Sequence, residues 1–97
     1  MLRHIVMIKL RKDVDALVVS NEIKLMIENL ECLIDRLLKV EVGINISTKA
    51  SAHDVVLTAD FEDETGLDEY RIHPEHIKVL DYLKSVMEKT AVVDYLI

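Results

Sequence analysis

The stretch that decides the fold runs from His53 to Leu83, HDVVLTADFEDETGLDEYRIHPEHIKVLDYL. Its first part, Asp54 to Phe61, reads as a strand, with Val55, Leu57, Ala59 and Phe61 at every second position on one face. Glu62 to Gly66 is an acidic corner. Thr65 followed by Asp68 marks a weak helix start, so a short helix is expected over Leu67 to Arg71. Pro74, the only proline, opens a longer helix, because its missing N–H is one that a first helical turn leaves unpaired anyway. His73 then takes the N-cap place or lies just before it. Ile77, Leu80, Leu83 and Met87 form the expected buried stripe, with Val79 and Tyr82 beside it.

Beyond this stretch, Ala91 to Leu96 reads as a final strand. Before it, Ser47 to Ala52 is a polar loop of small residues. Leu38, Val40, Val42, Ile44 and Ile46 alternate with Lys39, Glu41, Gly43 and Asn45, which predicts a strand over Leu38 to Ile46. Gly43 inside it suggests a bulge or a close backbone approach. Further back, Ile23, Met26, Ile27, Leu30, Leu33, Ile34 and Leu37 recur at helical spacing from a start near Asp15. No Gly or Pro marks where that helix ends. The chain opens with a strand over Leu2 to Leu10, apolar in the middle on both faces. The order is β-α-β-β-α-β. It predicts an α+β, ferredoxin-like subunit, a four-stranded antiparallel sheet with its helices on one face. Residues 1–97 form one expected domain, with no repeat or linker.

Of these residues 51% are apolar, more than a core this small can hide. A second copy of the chain packed sheet on sheet is the expected cover, hence a homodimer. Ile44 and Val56 are the candidate positions on that face. The net charge of -6 and a pI near 5.1 argue against a nucleic-acid partner and against an anionic membrane surface. The longest apolar runs, Ile5 to Ile8 and Ala16 to Val19, fall far short of the ~20 residues of a membrane span. Arg3 is not followed by a long apolar segment, so no signal peptide is expected, and a cytoplasmic location follows by default. Cys32 falls inside a helical apolar pattern and is expected to be a small buried hydrophobe.

Histidine suits proton transfer at neutral pH, and a tyrosine hydroxyl can hold a carbonyl or enolate oxygen. His4, Tyr70 and His76, which a family resemblance groups, are the candidate catalytic residues, with His76 as base and the other two orienting a substrate. Each also has a structural reading: His4 as a strand-to-helix hydrogen bond, Tyr70 as a core ring, the histidines near Pro74 as local caps. Phe61 and His73 are candidate ligand contacts. His53 precedes a strand in a polar loop and is expected to have no role. The carboxylates Glu62, Asp63, Glu64 and Asp68 could draw a hard cation, but they also suit the positive end of a helix; no metal site is assigned. Two glycines, Gly43 and Gly66, make no phosphate loop, and neither a dinucleotide fingerprint nor a nucleophile elbow is present. No cofactor is expected.

Several segments carry a resemblance: Leu2-Arg3-His4-Ile5-Val6, Glu41-Val42-Gly43 with Asn45, Asp54-Val55-Val56-Leu57 leading to Asp60-Phe61-Glu62, Tyr70-x-x-His73-Pro74-x-His76, and Val92-Val93-x-Tyr95. Over essentially all 97 residues the chain resembles the stress-responsive A/B barrel (Dabb) domain of the dimeric α+β barrel superfamily. The resemblance implies a homodimer whose two sheets close a barrel, and a pocket between each sheet and its helices. It also implies similarity to a plant branch that closes polyketide rings by aldol chemistry without a cofactor. His4, Tyr70 and His76 match the working residues of that branch. A first-helix tyrosine does not, since Ile27 stands there, and Asp35 stands where the family often has proline. Some other members resemble divalent-cation binders.

Two function classes follow. One is a small barrel that binds a small hydrophobic or aromatic ligand or acts structurally. The other is a cofactor-free enzyme, cyclase-like or lyase-like, acting through His4, Tyr70 and His76.

Overall fold

A computed structural model describes all 97 residues, Met1–Ile97. The elements are β1 (Leu2–Leu10), α1 (Ala16–Asn29), a 3₁₀ turn (Leu30–Cys32), β2 (Lys39–Ile44), β3 (Val55–Phe61), α2 (Glu64–Ile72), α3 (Pro74–Val86) and β4 (Met87–Leu96). The sheet runs β2-β3-β1-β4 and every neighbouring pair is antiparallel. This is the ferredoxin-like order that the alternating patterns predict.

Register fixes which residues share a face. His4 pairs with Ala59 and Asp94, and Val6 with Leu57 and Val92. These point towards the helices, with Ile8, Val42, Val55 and Phe61 buried beside them. The opposite face carries no helix. Ile5, Met7, Val56, Ala91, Val93 and Tyr95 stand on it by register, fringed by the bidentate Arg3–Asp60 pair (2.8 and 3.0 Å). Ile44 pairs with Val55 and so belongs to the helix side. Of the two candidate partner-facing positions, only Val56 lies on the bare face.

Side chains of the helical layer close one edge of the sheet. Glu31 Oε1 accepts from the Val40 N–H (2.8 Å) and Glu28 Oε2 from the Val42 N–H (3.3 Å). Lys24 Nζ donates to the Val42 carbonyl (2.7 Å) and to Glu28 (3.0 Å). An unpaired strand edge is a template for further strands, and here the N–H groups of Val40 and Val42 and the Val42 carbonyl have partners.

Several expectations need correction. The first helix, whose end no residue marks, stops at Asn29, short of the apolar positions Leu30 to Leu37 that continue its spacing. The chain then tightens, with Leu33 N–H and Ile34 N–H both donating to the Leu30 carbonyl. That turn drops Ile34 and Leu37 into the core but leaves Leu33 exposed. It also turns Cys32 outward; the thiol is exposed and donates to the Asn29 carbonyl (3.1 Å). The short helix starts at Glu64, because Asp63 rather than Thr65 is its cap and accepts from the Gly66 N–H (2.9 Å). β2 is shorter at both ends than Leu38 to Ile46, and β4 begins four residues before Ala91, at Met87. Met87 therefore belongs to β4, and Ile77 is exposed. The buried stripe of α3 is Val79, Leu83 and Val86. Ile77 sits two residues from Val79, about 200° around the helix. Gly43 marks a close approach, not a bulge: β2–β3 pairing runs unbroken, and a Cβ there would lie 3.1 Å from Val56 Cγ1. The sheet's irregularity falls instead between Lys9 and Leu10, in the β1–β4 pairing.

Candidate functional site

A hollow of about 370 Å³ opens between the helix side of the sheet and α1 and α3, and ten of its fourteen lining residues are apolar, Tyr70 included. Pockets for small organic molecules begin at about this size. Ile27 of α1, Leu57 of β3, Leu80 and Leu83 of α3, and Val92 of β4 supply much of the wall. Its polar groups come from His4, Tyr70, Arg71, His76 and Thr90. The three candidate catalytic residues thus come from β1, α2 and α3 to border one space.

Each is positioned by its local structure. His4 is an inward strand residue. Its Nδ1 donates to Asp94 Oδ1 on the neighbouring strand, where register sets the two side by side. Tyr70 lies in α2 and is 2% exposed. Its ring packs on Phe61 (centroids 5.0 Å apart) and edge-on to His4 (6.5 Å). Burial alone pushes its phenol up to about 12, so the hydroxyl stays protonated near neutral pH. His76 lies in the first turn of α3, which starts where Pro74 permits. Its Nδ1 donates to the Arg71 carbonyl (3.1 Å). Burial holds its pKa below the usual histidine value. Positive charge at His4, Arg71 and His73 acts the same way, and the hydrogen bond to the Arg71 carbonyl opposes it. The neutral imidazole is therefore favoured, with Nε2 as the free acceptor.

The two candidate ligand contacts do not line this hollow. Phe61 is fully buried behind Tyr70. His73 is the N-cap of α3, and its Nδ1 accepts from the Glu75 N–H (3.1 Å). His53 lies elsewhere, beside Gly43 and Val56 in a separate depression on the bare side. Two carboxylates of the acidic corner, Asp63 and Asp68, are engaged in structure. Asp63 caps α2, Arg36 lies 2.7 Å from Glu69 and 3.9 Å from Asp63, and Asp68 pairs with Arg71 at 3.3 Å. No three His, Cys, Asp or Glu side chains converge as metal ligands would.

Sequence reasoning passed over Asp94 and Arg71. Asp94 accepts from His4 through one oxygen and from Arg71 Nη2 (3.3 Å) through the other. Its signal was an acid at an inward position of an otherwise apolar segment, Val92-Val93-Asp94-Tyr95-Leu96.

Residues 2–97 match the family model described as the stress responsive A/B barrel domain, Dabb. Among solved structures, the chain is similar to a dimeric protein of unknown function with a ferredoxin-like fold from Bacteroides fragilis. The two share 35% identity over 99% of this chain and 95% of that one, with a TM-score of 0.90. A Dabb family protein with a ferredoxin-like fold from Mesorhizobium loti is 23% identical over 99% and 95%, with a TM-score of 0.79. Hydroxynitrile lyase from Passiflora edulis is 16% identical over 99% and 92%, with a TM-score of 0.84, a likeness of fold. No curated protein matches the chain.

Proposed function

Because the chain belongs to the stress-responsive A/B barrel domain family, we propose that it is a homodimer in which each subunit binds a small, largely apolar molecule carrying a polar oxygen. The observation that carries this reading is the meeting of His4, Tyr70 and His76 on one apolar hollow of about 370 Å³. Apolar walls supply the binding energy, and the few polar groups orient the guest. The dimer is supported by the similar Bacteroides protein, described as dimeric, and by the bare sheet face, where Met7, Val56 and Val93 are 40%, 36% and 57% exposed. A monomer of this size gains most by covering such a face with its own copy.

The test is a thermal-shift panel of small phenols, aromatic aldehydes and ketones on wild type and His4→Ala. A compound at 100 times its Kd stabilises the fold by about 2.7 kcal/mol. Stabilisation of wild type and not of the variant supports the reading; silence across the panel in both proteins counts against a ligand site.

A second reading is favoured by one pair of groups. His76 is held neutral with Nε2 free, beside a Tyr70 hydroxyl held protonated. In a cofactor-free, cyclase-like or lyase-like reaction, His76 would take a proton from the substrate while the Tyr70 hydroxyl stabilises the developing oxyanion. With Ile27 where the plant ring-closing branch has tyrosine, that reaction itself is not proposed. Turnover of a compound from the panel that is abolished in His76→Ala and Tyr70→Phe, both still folded, would establish catalysis.

A further inference from the structure

An arginine on a cavity wall invites reading as an anchor for an anionic ligand. The geometry around Arg71 points elsewhere. Its Nη1 donates to Asp68 Oδ1 and its Nη2 to Asp94 Oδ2, each at 3.3 Å. Two carboxylates already answer its single charge. Asp94 Oδ1 in turn accepts from Nδ1 of His4, and the backbone carbonyl of Arg71 accepts from Nδ1 of His76. A carbonyl or a carboxylate oxygen only accepts, so Nδ1 carries the hydrogen in both rings. In the neutral imidazoles, Nε2 is then the nitrogen left for a guest, and neither Nε2 has a partner within the protein.

We propose that Arg71 is a positioning residue and not an anion anchor: through Asp94 and through its own carbonyl it holds both cavity histidines in one tautomer. The site then presents two Nε2 acceptors and the Tyr70 hydroxyl, which suits an uncharged apolar molecule with a hydroxyl group and disfavours a carboxylate. The wall agrees. Burying a carboxylate among Ile27, Leu57 and Val92 without a free cation costs far more than burying a neutral hydroxyl with a partner. The ligand half of this inference rests on the cavity being a binding site; the tautomer half does not.

The experiment has two arms, run on the full chain. Long-range ¹H–¹⁵N spectra of the imidazoles at pH 8 report the tautomers. Wild type is expected to show Nδ1–H at both His4 and His76. In Arg71→Gln, His76 should keep that state, since the carbonyl remains, while His4 drifts towards the mixture of a free imidazole; Arg71→Lys should restore much of it. In the second arm, 4-propylphenol and 4-propylbenzoate are titrated into the same three proteins. Wild type should favour the phenol by about tenfold or more, the scale of a buried polar mismatch, and Arg71→Gln should weaken the phenol. An Nε2–H tautomer in wild type, or a His4 signal indifferent to Arg71→Gln, overturns the positioning role. A preference for the benzoate that Arg71→Gln abolishes restores the anion anchor and overturns the proposal. If neither compound binds wild type, the ligand half falls together with the proposed function, and the spectra alone decide the role of Arg71.

Discussion

The imidazole of His76 lies 4.1 Å from the ring of Tyr70, centroid to centroid, with the two planes inclined by 36°. Phe61 packs on Tyr70 at 5.0 Å. The tyrosine ring is thus held between a β3 residue and an α3 residue, and it is the hydroxyl end that can serve the cavity. The arrangement ties the stability of the fold to the protonation of one histidine.

That tie has a sign. Burial favours neutral His76, so its folded pKa lies below the unfolded value of about 6.5. Below that pH the unfolded chain binds more protons than the folded one, and stability falls as pH drops through the folded pKa. Unfolding free energy from urea melts should be higher at pH 7.5 than at pH 5.5. His76→Phe keeps a ring against Tyr70 but cannot titrate, and should shrink the difference. The carboxylates held low, Asp60 by Arg3 and Glu28 by Lys24, lose their contribution at more acid pH and do not confuse this window. A pH dependence no smaller in His76→Phe than in wild type would show that His76 is not buried as described.

The β2 edge yields a second prediction. Glu28 and Glu31 accept from Val42 N–H and Val40 N–H, and both carboxylates are partly wet. Removing both as Glu28→Ala/Glu31→Ala should cost only about 1 kcal/mol, because water replaces much of what is lost. The larger effect should be on association, since the freed edge can pair with another chain. Light scattering on concentrated samples should show higher oligomers absent from wild type. An unchanged oligomer distribution would mean that these side chains do not guard the edge.

Val56 and Ile44 separate assembly from folding. Val56 stands on the bare face and Ile44 on the helix side. Val56→Asp should yield a folded monomer by light scattering, with its circular dichroism unchanged. Ile44→Asp puts a charge against the core and should lower stability by about 2 kcal/mol or more, whatever the oligomeric state. A Val56→Asp protein that remains dimeric would move the interface off this face.

Strands are legible in the sequence because their signal is local: Val55, Leu57, Ala59 and Phe61 alternate, and all four are buried. Pro74 marks where α3 begins for an equally local reason. What escapes such a reading depends on distant partners. Cys32 reads as one more apolar helical position until the turn over Leu30–Cys32 swings it out. Asp94 becomes the partner of His4 only through the β1–β4 register, which no single segment encodes. Arg71 then acquires its place from Asp94. Resemblance groups His4, Tyr70 and His76 as candidates, but the side chains that orient the two histidines emerge only from the fold.

Ile23 and Ile27 give the sharpest test of the cavity. They lie one turn apart on α1, at 0% and 1% exposure, and composition alone cannot tell them apart. Ile27 borders the hollow and Ile23 does not. A tyrosine at position 23 must force its ring into packed core, which costs about 1–3 kcal/mol or more. A tyrosine at position 27 can place its ring in space that is already there, so Ile27→Tyr should be the milder change by about 1 kcal/mol in urea melts. The same ring takes up room a guest needs, so affinity for 4-propylphenol should fall in Ile27→Tyr even though the fold is intact. Equal destabilisation by the two substitutions would mean that the hollow is closed in solution, and the ligand reading would lose the space on which it depends.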